Sequence, residues 1–231
     1  MNLLELNFVS KKFGGFTAVD NVSLKINRGD IRFIIGPNGA GKSTLFKMII
    51  GVHNLNSGQV LFNNQNIEKL SLNERINLGI GVKFQAPSVF SELTVKENLI
   101  LAIKSKFNDE IFSFLEKFGL EKDQDVLAGD LSHGKKQWLD IALSTISRPE
   151  LVFLDEPTAG LSFEETKKTG KIIQDLNGEG VTFVIVEHNM EILKQIAKSV
   201  SVLHLGKLFF EGSPKEVLSN KEVTNIYLGI L

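Results

Sequence analysis

A nearly continuous apolar run, Ile31–Ile35, opens directly into Gly36-Pro37-Asn38-Gly39-Ala40-Gly41-Lys42-Ser43-Thr44 and then Leu45-Phe46-Lys47-Met48-Ile49-Ile50. An apolar run of this kind suits a strand buried on both faces, and such strands belong in parallel sheets covered by helices. The segment after it has the spacing G-x-x-x-x-G-K-[ST], which suits an anion cradle. Glycines let successive backbone N–H groups converge without Cβ clashes, and the helix starting near Lys42 adds its positive end. In such a loop Lys42 reaches the β- and γ-phosphates of a nucleotide, and the Ser43 hydroxyl holds Mg²⁺. The alternative is a glycine-rich turn that fits by accident; the strand before it and the helix after it weigh against that. The loop implies a nucleoside triphosphate and Mg²⁺ without saying what machine uses them.

A second apolar strand, Leu151-Val152-Phe153-Leu154, ends in Asp155-Glu156-Pro157. Strand ends in an open α/β sheet face the ligand crevice. Asp155 is the candidate partner of Ser43 on Mg²⁺, directly or through water. Glu156 is the candidate general base or water-positioning group for attack on the γ-phosphate. Two acids solvated in a turn, or capping the next helix, are the plainer reading, and the phosphate loop upstream argues against it.

Short strand-like runs alternate with helical patterns along the chain, giving an α/β class. Residues 3–9 and 22–26 read as N-terminal antiparallel strands separated by a turn, Lys11-Lys12-Phe13-Gly14-Gly15. Residues 181–186 read as another buried strand, and residues 202–210 as a hairpin turning near Gly206. From about residue 91 to 147 the texture is helical. Thr94-Val95-Lys96-Glu97 forms a capping box, and Ile111, Phe114, Leu115 and Phe118 share a helical face before Gly119. Trp138, Ile141, Ala142 and Thr145 repeat with helical spacing until Pro149. Ser213-Pro214-Lys215-Glu216 starts a last short helix. The expected organisation is one domain over residues 1–231. Its nucleotide-binding core covers 1–84 and 150–231, with a helical subdomain inserted at about 85–149.

Composition excludes several alternatives. A net charge of −1 provides no basic field for nucleic acid, and 0 Cys removes disulfides and thiolate metal sites. Met1-Asn2-Leu3-Leu4-Glu5 lacks the start of a signal peptide, and no apolar run approaches the roughly 20 residues that span a bilayer. A membrane role would therefore require another subunit to hold the chain there.

Leu131-Ser132-His133-Gly134-Lys135-Lys136-Gln137 precedes Asp155 and opens the helix carrying Trp138. It resembles the L-S-G-G-Q signature of ATP-binding-cassette (ABC) proteins, and the family's other motifs follow in order along the chain. The resemblance implies several roles. Phe13 stacks on adenine, with Phe16 as competing stacker and burial in the core as the alternative. Gln85 joins the catalytic site to the helical subdomain and reaches the metal. Ala159-Gly160-Leu161-Ser162 contacts a second subunit. His188 touches the γ-phosphate, a structural histidine being the alternative. Ser132 and Gly134 close over the nucleotide of a partner chain, so that ATP and Mg²⁺ are sandwiched between two subunits. Ser132 also suits a helix cap, which is compatible with that role. Three departures stand out: His133 replaces the first glycine of the signature pair, Lys135 replaces the signature glutamine, pointing to the facing phosphate or into solvent, and Ser162 replaces an acidic residue.

The stretch 84–99, Phe13-Gly14-Gly15-Phe16 and Tyr227-Leu228-Gly229 resemble importers of the branched-chain amino acid and amide group. Residues 131–139, Ala159-Gly160-Leu161-Ser162 and Val202-Leu203-His204 are most similar to the urea-importer ATPase within it. The implied partners are a second ABC ATPase, membrane permeases and, indirectly, a periplasmic binding protein. The implied location is the cytoplasmic face of the inner membrane. Lipid or lipopolysaccharide export and a soluble, non-transport ABC role remain the alternatives. Pro87, Val89, Phe90 and Leu93 form an apolar cluster near Gln85, with Phe90 either contacting a permease or buried.

Overall fold

The computed structural model describes residues 2–103 and 108–228. Its centre is a six-stranded sheet in the order β10-β9-β3-β8-β7-β6. The strands are β3 (Ile31–Ile35), β6 (Ile80–Lys83), β7 (Leu151–Asp155), β8 (Thr182–Val186), β9 (Ser199–His204) and β10 (Lys207–Gly212). All run parallel except β10, which returns from β9 through Leu205 and Gly206. Both turn residues have positive φ, at 48° and 77°, as a two-residue hairpin turn requires. Every residue of β3, β7 and β8 is buried, as expected of strands covered on both faces.

The two faces carry different cores. Ile31, Phe33 and Ile35 point into a cluster with helices α3 (Val95–Ala102), α4 (Asn108–Phe118), α5 (His133–Thr145), α6 (Phe163–Gly178) and α7 (Met190–Ile196). Ile34 points the other way, toward α1 (Lys42–Ile49) and a four-stranded antiparallel sheet. That sheet has the order β2-β1-β4-β5, from β1 (Asn2–Phe13), β2 (Phe16–Asn27), β4 (Ser57–Phe62) and β5 (Gln65–Asn66). The short helix α2 (Leu72–Asn77) lies beside β6, and α8 (Pro214–Ser219) and α9 (Lys221–Leu228) close the described chain. A fully buried Leu, Ile or Phe contributes roughly 1.5–3 kcal/mol relative to exposure, so the sheet is a wall stabilised from both sides.

The N-terminal strands are longer than the sequence suggests. Lys11 and Lys12 are not in a turn; they pair with Val19 and Thr17, and only Gly14-Gly15 turns the chain. Successive bulges in β1 keep the ladder going, and the Lys12 N–H donates to Asn56 Oδ1 at 2.8 Å. Lys12 therefore keeps its side chain in solvent while its strand remains paired, and Lys11 Nζ donates to the Asn54 carbonyl at 2.7 Å. Helices α3, α4 and α5 follow one another between β6 and β7, where the sequence places its helical segment. Their apolar faces merge into the cluster under the sheet, with Trp138, Leu139 and Phe118 sharing it with Phe33 and Leu154.

Candidate functional site

Parallel order sets the C-terminal ends of β3, β8, β7 and β6 on one edge of the sheet. Gly36 follows β3, Glu187 and His188 follow β8, Asp155 ends β7 with Glu156 next, and Gln85 stands two residues beyond β6. Residues from four separate segments thus arrive at a shared crevice, the usual ligand position in such sheets.

The glycine-rich loop has the shape of an anion cradle. Gly36, Gly39 and Gly41 have φ of 151°, 79° and 99°. A Cβ on Gly36 would fall on the Leu203 carbonyl, and one on Gly41 would lie 2.5 Å from the Ala18 carbonyl oxygen. Glycine at these two positions lets the loop pass between β2 and the β9–β10 hairpin. Gly41 is the N-cap of α1 and offers no side-chain cap, and the first turn carries no acidic residue. The helix start is thus open to an anion. Lys42 Nζ donates to the Gly36 and Pro37 carbonyls at 2.7 and 3.0 Å, arching over the loop. Burial pushes its pKa down, opposed by the charges of Glu156 and Asp155.

Glu156 is the hub of the polar groups. Its Oε2 accepts from Gln85 Nε2 at 2.8 Å, and its Oε1 lies 3.1 Å from His188 Nε2. Its backbone is left-handed, with φ 45°, and its N–H donates to the Val186 carbonyl at 2.8 Å. Asp155 beside it is 6% exposed. Burial pushes its pKa up, and so does Glu156, against the pull of Lys83, Lys47 and Lys42. A carboxyl held back from ionisation in this way gains from a cation set beside it. Ser43 is exposed at the head of α1. One hydroxyl and one buried carboxylate fit Mg²⁺, which prefers few protein oxygens and completes its shell with water and phosphate. Among the described residues no group of three His, Cys, Asp or Glu side chains could hold a metal ion.

Glu187 was not singled out by sequence. It is 3% exposed and receives donors from Thr158, His188 and Asn189. No spacing rule marks a lone acid before a histidine, so only the folded contacts reveal it.

Ser132 caps α5, its hydroxyl accepting from the Lys135 N–H at 3.4 Å. The start of α5 meets the loop after β7: His133 Nε2 lies 2.9 Å from the Ala159 carbonyl oxygen, and a Cβ on Gly134 would strike the Glu165 carboxylate. Lys135 does not extend freely into solvent, because Asp123 holds its ammonium at 2.7 Å. Ser162 caps α6 in a capping box with Glu165, which accounts for a serine there. Phe13 is 45% exposed and so is not core. Lys11 Nζ sits 5.1 Å above its ring, and His53 meets it edge-on at 5.4 Å. Phe16, paired with Phe13 across the turn, is more exposed still. Phe90 is also exposed and lines a groove with Val82, Asn98, Leu101 and Asp140, which removes burial as its explanation. Tyr227 lies in α9, its hydroxyl pushed up to about 12 by burial, while Met1 and Gly229 fall outside the described residues.

Comparison with known proteins finds relatives over nearly the whole chain. The family described as ABC transporter matches residues 19–159. The chain is 32% identical to the high-affinity branched-chain amino acid transport ATP-binding protein LivG of Escherichia coli, covering 98% of each chain. It superposes on the ADP conformation of MJ1267, an ATP-binding cassette of an ABC transporter, with TM-score 0.90 and 32% identity over 99% of both chains. It also matches MJ0796, solved as a dimer in a post-hydrolysis state bound to ADP and Pi. There the TM-score is 0.81 at 27% identity, over 91% of this chain and 98% of that one.

Proposed function

Because the chain belongs to the ABC transporter family, whose cassettes hydrolyse ATP to drive transport, we propose that it powers an importer of the branched-chain amino acid and amide group. The signature segment 131–139 favours urea as the solute, and the full-length likeness to LivG makes branched-chain amino acids the second candidate. Among the described residues no helix is long and apolar enough to cross a membrane. In this reading the chain works from the cytoplasmic face on permease subunits, in a complex that a periplasmic binding protein feeds.

One observation supports the chemistry most directly: both oxygens of Glu156 are engaged, by Gln85 and by His188. That arrangement fixes the carboxylate's direction before substrate arrives, as a general base requires. Gly36, Pro37, Asn38, Gly39, Ala40, Gly41 and Thr44 form the cradle and Lys42 neutralises phosphate charge. Phe13 supplies an exposed ring for adenine. Ser43, Asp155 and Gln85 would hold Mg²⁺, and a cation there would supply positive charge to offset what develops on the transferred phosphoryl oxygens. Glu156 then takes a proton from the attacking water while His188 orients it toward the γ-phosphate. Ser132 and Gly134 face the nucleotide of a second cassette, so hydrolysis follows dimer closure. Residues 85–149 act as the inserted unit that carries this face.

The test pairs ATP turnover of the wild type and Glu156→Gln in the complex with the cognate permease with light scattering for ATP-dependent dimers of the isolated cassettes. The expected result is a rate loss of roughly 10²–10⁴-fold with a persistent ATP dimer. Equal turnover would remove Glu156 from the catalytic role. Uptake by proteoliposomes containing permease and binding protein decides the solute. Urea accumulation supports the reading, and leucine accumulation in its place would reassign it.

A further inference from the structure

Two loops carry the groups that act on the γ-phosphate in the reading above: 155–162 after β7 and 187–189 after β8. Glu187 ties them together. Its Oε1 accepts from the Thr158 N–H at 2.9 Å and from the Thr158 hydroxyl, and its Oε2 accepts from the N–H groups of His188 at 2.8 Å and Asn189 at 2.9 Å. An acceptor-only group thus meets four donors. Thr158 is 4% exposed, so the contacts are sheltered from water. A short ring results: Glu156 leads through Pro157 to Thr158, across Glu187 to His188, and from the His188 ring back to Glu156 Oε1 at 3.1 Å. Thr158 also accepts the Leu161 N–H on its carbonyl, and Ala159 accepts His133, so the ring reaches the loop that braces α5. Asn189 caps α7, which anchors the other side.

We propose that Glu187 is a positioning residue for ATP hydrolysis, setting the distance between Glu156 and His188 by clamping Thr158 to the start of the α7 loop. The proposal rests on the assignment of Glu156 and His188 above. Glutamine at this place has nearly the same volume but keeps only one oxygen. Whichever way its amide is turned, the NH₂ opposes a pair of donors, so one arm of the clamp opens. Removing one acceptor from a buried set leaves donors unsatisfied.

The decisive experiment compares Glu187→Gln, Glu156→Gln, Thr158→Val and the Glu187→Gln/Thr158→Val pair in the transporter complex. It measures kcat, KM for ATP and the folded fraction by circular dichroism. The expected result for Glu187→Gln is a kcat per folded molecule at least about 10-fold lower with KM changed less than about 3-fold, since the phosphate cradle is untouched. Adding Thr158→Val should cost little more, because both changes open the same contact. A kcat that falls only as the folded fraction falls would make Glu187 merely structural and overturn the proposal. So would wild-type kcat in Glu187→Gln beside an inactive Glu156→Gln. Full activity in Glu156→Gln would instead overturn the assignment beneath it, and the proposal with it.

Discussion

Gly41 shows how closely single positions are held. Its φ of 99° and the Ala18 carbonyl 2.5 Å from a built Cβ leave no room for a side chain. Gly41→Ala should lose about 2 kcal/mol from left-handed strain alone. Its thermal midpoint should also stop responding to ATP, because the loop must shift away from Ala18; melts with and without nucleotide check both effects. The placement of the glycines, Lys42, Asp155 and Glu156 at the crevice was legible because each sits at a strand end or in a motif of fixed spacing, and that of His188 only through the family resemblance. The Lys135–Asp123 pair is not legible in sequence because Asp123 lies in a separate turn that no local pattern connects to it. Glu187 was invisible for the same reason: its arm to Thr158 crosses 29 residues of sequence.

Elements were legible where their end signals are strong. Capping boxes at Thr94 and Ser213 mark α3 and α8 where the sequence places them. The strand pair β4–β5 escaped reading although Asn63-Asn64, both with positive φ, form a two-residue turn between them. Its strands are too short and polar to show alternation. A buried contact between elements yields a pH prediction. Lys83, at the end of β6, lies 3.8 Å from Asp140 of α5, and both are sealed from solvent. Burial raises the Asp140 pKa from 3.8 to about 6, against the pull of Lys83 and a Ser88 N–H. Between these values the folded state keeps a proton that the unfolded chain has released, so stability falls as pH rises through that window. Below it both states are protonated and the penalty is absent. Asp140→Asn cannot titrate, so its stability relative to wild type should rise between about pH 4 and pH 6. Urea melts at a series of pH values should show the stability difference shifting in favour of Asp140→Asn across that window, and parallel curves would refute the assignment.

At the scale of the whole molecule, the crevice on the sheet edge and the groove near Phe90 lie only five residues apart through Gln85. Phe90 and Leu101 are both more than 60% exposed on the groove rim, so a permease segment has apolar surface to grip. Phe90→Ala should weaken co-purification with the permease at least 10-fold while nucleotide binding stays unchanged; pull-down and fluorescent-nucleotide titration measure the two. The faces of the sheet also differ in what they expose to instruments. The chain has 1 Trp, and it sits on α5. Its indole donates to Thr169 of α6 at 3.0 Å, and the Lys168 ammonium lies 3.7 Å from the ring centroid. A cation so near an indole shifts and quenches its emission, so any tilt of α5 away from α6 changes the colour and brightness of the protein's own light. The helix behind the signature therefore carries a built-in optical gauge, and stopped-flow mixing with ATP can time its movement without a dye.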